Sequence, residues 1–163
     1  MKSSQNQFLF ISASEQIMHC FENDIFYKSY PISTGKNGLG EQKGSQCTPR
    51  GWHTIHSRIG LGESENSVFV GRQWTGEIYS EALAKQFSGR DWILTRILQL
   101  DGLEEKRNRG GDVDSLARYI YIHGTPDSTE LGKPGSHGCI RMRNKEIIEL
   151  ADWILVGARV CIE

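Results

Sequence analysis

An excess of charge of either sign is missing from this chain. Its 19 basic and 20 acidic residues leave a formal net charge of −1 over 163 residues. That balance gives no basis for a nucleic-acid or membrane-surface partner. A long apolar run is missing too, so no segment is expected to span a bilayer. The run Phe8-Leu9-Phe10-Ile11 follows a single lysine and is too short for a signal-peptide core. Acidic Glu15, Glu22 and Asp24 come soon after. A chain that starts at Met1 is therefore expected to stay in the cytoplasm. The four cysteines, Cys20, Cys47, Cys139 and Cys161, form no C-x-x-C pair. Free thiols are expected, with Cys20 and Cys161 buried in apolar strands and Cys47 in a loop. Repeats, linkers and low-complexity tails are absent, which points to one domain over residues 1–163.

What is present reads as mainly β. Short apolar or alternating runs predict strands over 8–11, 17–21, 25–32, 52–59 and 68–70. Asn23-Asp24 marks a hairpin turn between the second and third. Residues 33–51 hold Gly35, Gly38, Gly40, Gly44 and Gly51 and predict a long loop of the kind that carries function. The stretch 62–118 differs in character and is expected to be a partly helical insertion or cap. Within it, 77–87 has near-helical spacing, 92–100 shows no clear period, and 112–118 is expected to be a short helix capped by Asp112 or Asp114. Tyr119-Ile120-Tyr121-Ile122 predicts a strand. Ile147, Ile148, Ala151, Ile154 and Leu155 form one apolar face of a helix over 145–155, with Asn144 as its cap. Ala158, Val160 and Ile162 alternate as a last strand.

The chemistry lies in two segments, His123-Gly124-Thr125 and Ser136-His137-Gly138-Cys139-Ile140. A thiolate is the reactive form of cysteine, and a neighbouring imidazole raises its population. The loop between them is long enough to bring Cys139 back to His123, which would serve as base for the thiol and acid for a leaving amine. Asp127 or a backbone carbonyl would orient that imidazole. His137, two residues from Cys139, faces the same side in extended structure and is expected to hold substrate or line an oxyanion site. The N–H groups of Gly138 and Cys139 are candidate oxyanion donors. Arg141 is expected to hold a substrate carboxylate or brace the loop. Zinc is the rival reading, since His123, His137 and Cys139 are all ligand types. No fourth ligand has familiar spacing; His53 and His56 are poorly placed on one strand, and His19 is expected on a strand surface.

The run His123-Gly124-Thr125 … Gly135-Ser136-His137-Gly138-Cys139-Ile140-Arg141-Met142 resembles the signature of L,D-transpeptidase catalytic domains of the YkuD type. Ser33-Thr34-Gly35-Lys36 and Thr48-Pro49-Arg50-Gly51 resemble that family's upstream elements. The resemblance implies a β-sandwich-like fold. It implies thiolate attack on the carbonyl between a diamino acid, usually meso-diaminopimelate, and the terminal D-alanine of a peptidoglycan tetrapeptide. Cys139 is then the nucleophile, His123 the base, and the Gly124 carbonyl its orienter. Ser136, His137 and Gly138 shape the acyl site, and Thr125, Ser136 and Arg141 are expected to contact substrate. No metal or other cofactor is implied, and a carbapenem is expected to acylate Cys139. Without an export signal, hydrolysis of free muropeptides, an L,D-carboxypeptidase role in peptidoglycan recycling, is the first expectation. Transfer to an amine and non-catalytic muropeptide binding are the alternatives.

Overall fold

Ten strands and two short helices make up the computed structural model, which describes residues 2–163. The strands are β1 (Gln7–Ser12), β2 (Ile17–Glu22), β3 (Ile25–Pro31), β4 (Gly51–Ile59), β5 (Ser67–Val70), β6 (Gln73–Ile78), β7 (Ile93–Gly102), β8 (Tyr121–Gly124), β9 (Ile140–Met142) and β10 (Arg159–Ile162). The helices are α1 (Glu81–Gln86) and α2 (Asn144–Trp153). The main path runs β3-β2-β1-β10-β4-β7-β5-β6, and β8 and β9 branch from it at β7. Alternation dictates which side of each strand turns inward. Leu9, Ile11, Met18, Cys20, Ile55, Val160 and Ile162 point to one side, where they share a core with Ile122, Ile140 and Met142 of the β8–β9 branch. Ile147, Leu150, Ala151 and Ile154 of α2 close that core. The expected mainly-β sandwich with a C-terminal helix is what the chain forms, its two layers joined through β7.

Several expectations change. The unassigned run at 92–100 is β7, the longest strand, and it pairs with β4, β5 and β8. It lacks period-2 patterning because most of its residues are buried on both faces. Part of the region set apart as an insertion is thus the strand on which both layers hang. β5 is buried and paired with β7, and only the segment from β6 to α1 lies outside as a flap, with β6 almost wholly exposed. The helix expected over 77–87 shrinks to α1, because 73–78 pairs with β5 and Ser80 caps the helix by accepting from the Leu83 N–H at 3.1 Å. No α-helix forms over 112–118. A single 3₁₀ turn covers Gly111–Val113, and Asp114 instead accepts from the Gly110 and Ala117 N–H groups. Tyr119 stands outside the predicted strand in left-handed backbone, φ 58°. Asn144 is not the cap of α2; Arg143 holds that position, and Asn144 is the buried first residue of the helix.

Candidate active site

β8 and β9 are parallel neighbours, with Ile122 opposite Ile140 and His123 opposite Arg141. All four residues of β8 are buried, and the strand is held from both sides by β7 and β9. It therefore delivers His123, 1% exposed, into a fixed position. Its Nδ1 lies 2.7 Å from the Gly124 carbonyl oxygen. A carbonyl only accepts, so Nδ1 carries the proton and Nε2 is left with a free lone pair. The orienting group is thus the backbone carbonyl, not Asp127. Gly124 must be glycine for lack of room. A Cβ there would sit 2.3 Å from Asn144 Oδ1 and 2.6 Å from the Leu94 oxygen.

Asn144 explains that crowding. Its Nδ2 donates to the Thr125 oxygen at 2.9 Å and to Asn66 Oδ1 at 3.0 Å, and its Oδ1 accepts from Thr95 Oγ1 at 2.6 Å. Thr95 occupies left-handed backbone, φ 75°, at a bulge of β7 next to the His123 pairing. A β-branched residue there is strained, and the buried amide network holds it. Thr125, expected at the substrate, is instead part of this support. It is buried, and its hydroxyl donates to Thr129 at 3.0 Å.

Cys139 sits just before β9, partly accessible and packed against Phe69, Ile97 and Tyr121. Its Sγ accepts from the Tyr121 N–H at 3.3 Å and donates to the Tyr119 carbonyl at 3.3 Å. The left-handed turn at Tyr119 precedes the strand that carries His123, so one short segment serves thiol and imidazole together. No hydrogen bond joins Sγ to His123 in this resting arrangement. Burial pushes the Cys139 thiol up to about 12 and pushes His123 below its ordinary value. Both groups therefore rest neutral.

The loop before the thiol is braced from three sides. Ser136 Oγ donates to the Cys139 carbonyl and accepts from the Gly138 N–H at 3.1 Å. Gly138 is therefore not a free oxyanion donor: its N–H is spent on Ser136. The Cys139 N–H has no protein partner among the described residues and is the remaining candidate. Gly138 needs its φ of 128°, and a Cβ would meet the Cys47 oxygen at 3.1 Å. Thr48 Oγ1 donates to the Gly138 carbonyl at 2.7 Å and accepts from the Gly35 N–H at 2.8 Å. The long glycine-rich loop thus buttresses the nucleophile loop.

Asp91, between α1 and β7, is a charged member of the site that sequence reasoning missed. Its Oδ1 accepts from Arg141 Nη2 at 3.2 Å, and its Oδ2 lies 3.5 Å from His137 Nδ1. Arg141 also donates to the Gly135 carbonyl at 3.1 Å. No sequence motif marks Asp91, because it lies far along the chain from the residues it meets. His53 is buried, with Nδ1 on the Gly51 oxygen at 3.0 Å and Nε2 on Ser115 Oγ at 2.8 Å. His56 points outward toward Asp101, and His19 stacks on Phe10. Among the described residues no three His, Cys, Asp or Glu side chains converge as a metal site would require.

A buried, backbone-anchored histidine lies on β8, and a partly accessible cysteine precedes β9, its parallel neighbour. The model of the YkuD family, the L,D-transpeptidase catalytic domain, matches residues 6–162, and the chain belongs to that family. It is similar to the YkuD protein of Bacillus subtilis strain 168, 45% identical over 65 residues that make up 37% of this chain and 40% of that one. It is also similar to the YqjB protein of the same organism, 51% identical over 54 residues, 32% of this chain and 31% of that one. Among solved structures, Bd1075 of Bdellovibrio bacteriovorus superposes with a TM-score of 0.60 at 18% identity, over 98% of this chain and 48% of that one. An L,D-transpeptidase of Enterococcus faecium gives 0.59 at 16% identity, over 98% and 50%. At such identities the structures share the fold. The matched parts span less than half of the curated relatives. No helix among the described residues is long and apolar enough to cross a membrane.

Proposed function

We propose that this protein cleaves the bond between a diamino acid and the terminal D-alanine of peptidoglycan-derived tetrapeptides, using Cys139 as nucleophile and handing the acyl group to water. The observation that carries the chemistry is the His123–Gly124 contact of 2.7 Å on a strand paired in parallel with the one that follows Cys139. It leaves His123 Nε2 unprotonated, and the short segment that carries this imidazole also holds the Cys139 thiol through the Tyr119 carbonyl and the Tyr121 N–H.

As sulfur attacks the carbonyl carbon, the thiol proton passes to His123 Nε2. The carbonyl π pair moves onto oxygen, which the Cys139 N–H faces. The tetrahedral intermediate collapses by breaking the C–N bond, and the imidazolium gives its proton to the departing amine. D-Alanine leaves and a thioester remains. Water then attacks the thioester, losing a proton to His123, and that proton returns to sulfur as the tripeptide carboxylate departs. The sum is tetrapeptide plus water giving tripeptide plus D-alanine. Arg141, tied to Asp91, holds the acyl side of the cleft.

Hydrolysis is favoured over transfer by the surroundings of the thiol. An amine acceptor needs its own binding surface, and it approaches largely as an ammonium ion. The recess walled by Tyr119, whose carbonyl binds Cys139 Sγ, is lined by Lys43 and Arg118, which repel an acceptor ammonium that brings no carboxylate beside it; water needs no surface. This suits a role in trimming free muropeptides. A carbapenem, whose strained ring presents an acyl carbon of the same kind, is expected to form a stable adduct with Cys139; one structural neighbour, LdtMt1, is described in complex with imipenem.

Mass spectrometry of the protein with disaccharide tetrapeptide, with and without D-methionine, tests the proposal. Tripeptide plus D-alanine in both cases is the expected result. Exchange of D-alanine for D-methionine, or a cross-linked dimer, would make the protein a transpeptidase. Binding without turnover would make it a muropeptide-binding protein.

A further inference from the structure

The recess beside the thiol has a charge pattern of its own. Lys43, Gln46, Arg118, Tyr119 and His137 line it, and no acidic residue does. Tyr119 is the shared wall, because its carbonyl accepts from Cys139 Sγ. Arg118 is a partly buried guanidinium with no carboxylate partner. Its Nη1 donates to the Glu41 carbonyl at 2.9 Å and its Nη2 to the Cys47 carbonyl at 2.8 Å. The carboxylate of Glu41 is engaged elsewhere, by Arg50 Nη2 at 2.9 Å and Nε at 3.0 Å. Lys43 is exposed and forms no ion pair among the described residues. Neutral carbonyls orient the Arg118 charge but do not cancel it. A half-buried charge left without an opposite charge is costly unless a ligand supplies one.

We propose that this recess is the subsite for the leaving residue, with Arg118 and Lys43 binding its free α-carboxylate. The proposal rests on the carboxypeptidase reading above and adds what it selects: a chain end, not an internal bond. The carboxylate of a terminal residue lies about one Cα–Cα step, roughly 4 Å, beyond the attacked carbonyl, and the Arg118 charge acts on the Cys139 thiol. A guanidinium fork offers a carboxylate paired donors, and a flexible ammonium adds a second charge. An amidated end, or one extended by a further residue, would leave that charge unpaired.

The test compares disaccharide tetrapeptide ending in D-alanine with the same compound ending in D-alaninamide. The wild-type protein is expected to favour the acid by about 10- to 100-fold in kcat/KM, the range of a charged hydrogen-bonded contact. Arg118→Gln is expected to collapse that ratio, Arg118→Lys to restore part of it, and Lys43→Gln to reduce it by a smaller factor. Loosening of the 40–47 loop would slow both substrates alike and leave the ratio standing. Equal turnover of acid and amide by the wild-type protein would overturn the subsite while leaving the hydrolase intact. Should neither compound be turned over, the carboxypeptidase reading fails, and calorimetry with Cys139→Ala still decides the subsite. Tighter binding of the acid by tenfold or more upholds it; equal binding overturns it.

Discussion

β7 carries two very different neighbours. On one side β8, all four residues buried, holds His123 with its partners fixed by backbone and amide hydrogen bonds. On the other, β5 leads to β6, whose residues are mostly exposed, and on to α1, which buries none. Beyond the buried Phe69 of β5 and its pairing with β7, the flap is held by surface charges, Arg90 on Glu77 and Asp91 on Arg141. The contrast separates two tasks. Groups that move protons need positions set within a fraction of an ångström, which only a packed core supplies. The outer part of the flap, held by exposed ion pairs worth about 0–1 kcal/mol each, is under no such constraint.

Substitutions can break this contrast. Cys139→Ala is expected to abolish turnover with an unchanged melting temperature, because the thiol bonds only to two backbone groups at the cleft edge; residual activity would remove Cys139 as nucleophile. Cys47→Ala is the control and should leave turnover intact. His123→Ala is expected to cost about 10²- to 10⁴-fold in kcat. A drop confined to KM would mean that His123 positions substrate and moves no proton.

Acid should expose the difference between core and flap next. His53 is fully buried, and burial lowers it from 6.5 to about 4. The unfolded chain therefore binds a proton below pH 6.5 that the folded chain refuses until about pH 4. Stability contributed by neutral His53 is complete above pH 6.5 and is lost as pH falls toward 4, by about 3 kcal/mol. His123, lowered in the same direction, adds to that loss. Urea denaturation at several pH values measures it, and His53→Gln should flatten the slope; an unchanged slope would refute the assignment. By the same sign, turnover that needs neutral His123 should persist somewhat below pH 6.5 and then fall.

Gly124→Ala tests the packing under His123. Its Cβ has no space, so a loss of about 1–3 kcal/mol is expected, together with most activity, as the anchoring carbonyl is displaced. Melting curves and initial rates read both. The smallest effect belongs to the flap. Asp91→Asn should change stability by less than about 1 kcal/mol and kcat/KM by no more than about fivefold. A loss of a hundredfold would move Asp91 from the flap's fastening into the chemistry.

The chain by itself determined the N-terminal strands, the last strand and the C-terminal helix, and it pointed to Cys139 and His123 as the candidate thiol and imidazole. Those rest on local signals: a short apolar run at Phe8–Ile11, helical spacing from Ile147, and two short motifs that bracket one loop. β7 escaped because burial on both faces erases period-2 patterning, so its length and central place emerge only once β4 and β8 lie against it. Gly138 offered its N–H in sequence and lost it to Ser136 in space. Thr125 turned to Thr129, and Asn144 traded a capping role for a buried network around Thr95. Asp91 entered the site from the far end of the flap. Each of these outcomes depends on which distant groups arrive within 3 Å. Hydrogen bonds and ion pairs are decided at that range, where separation along the chain carries no information.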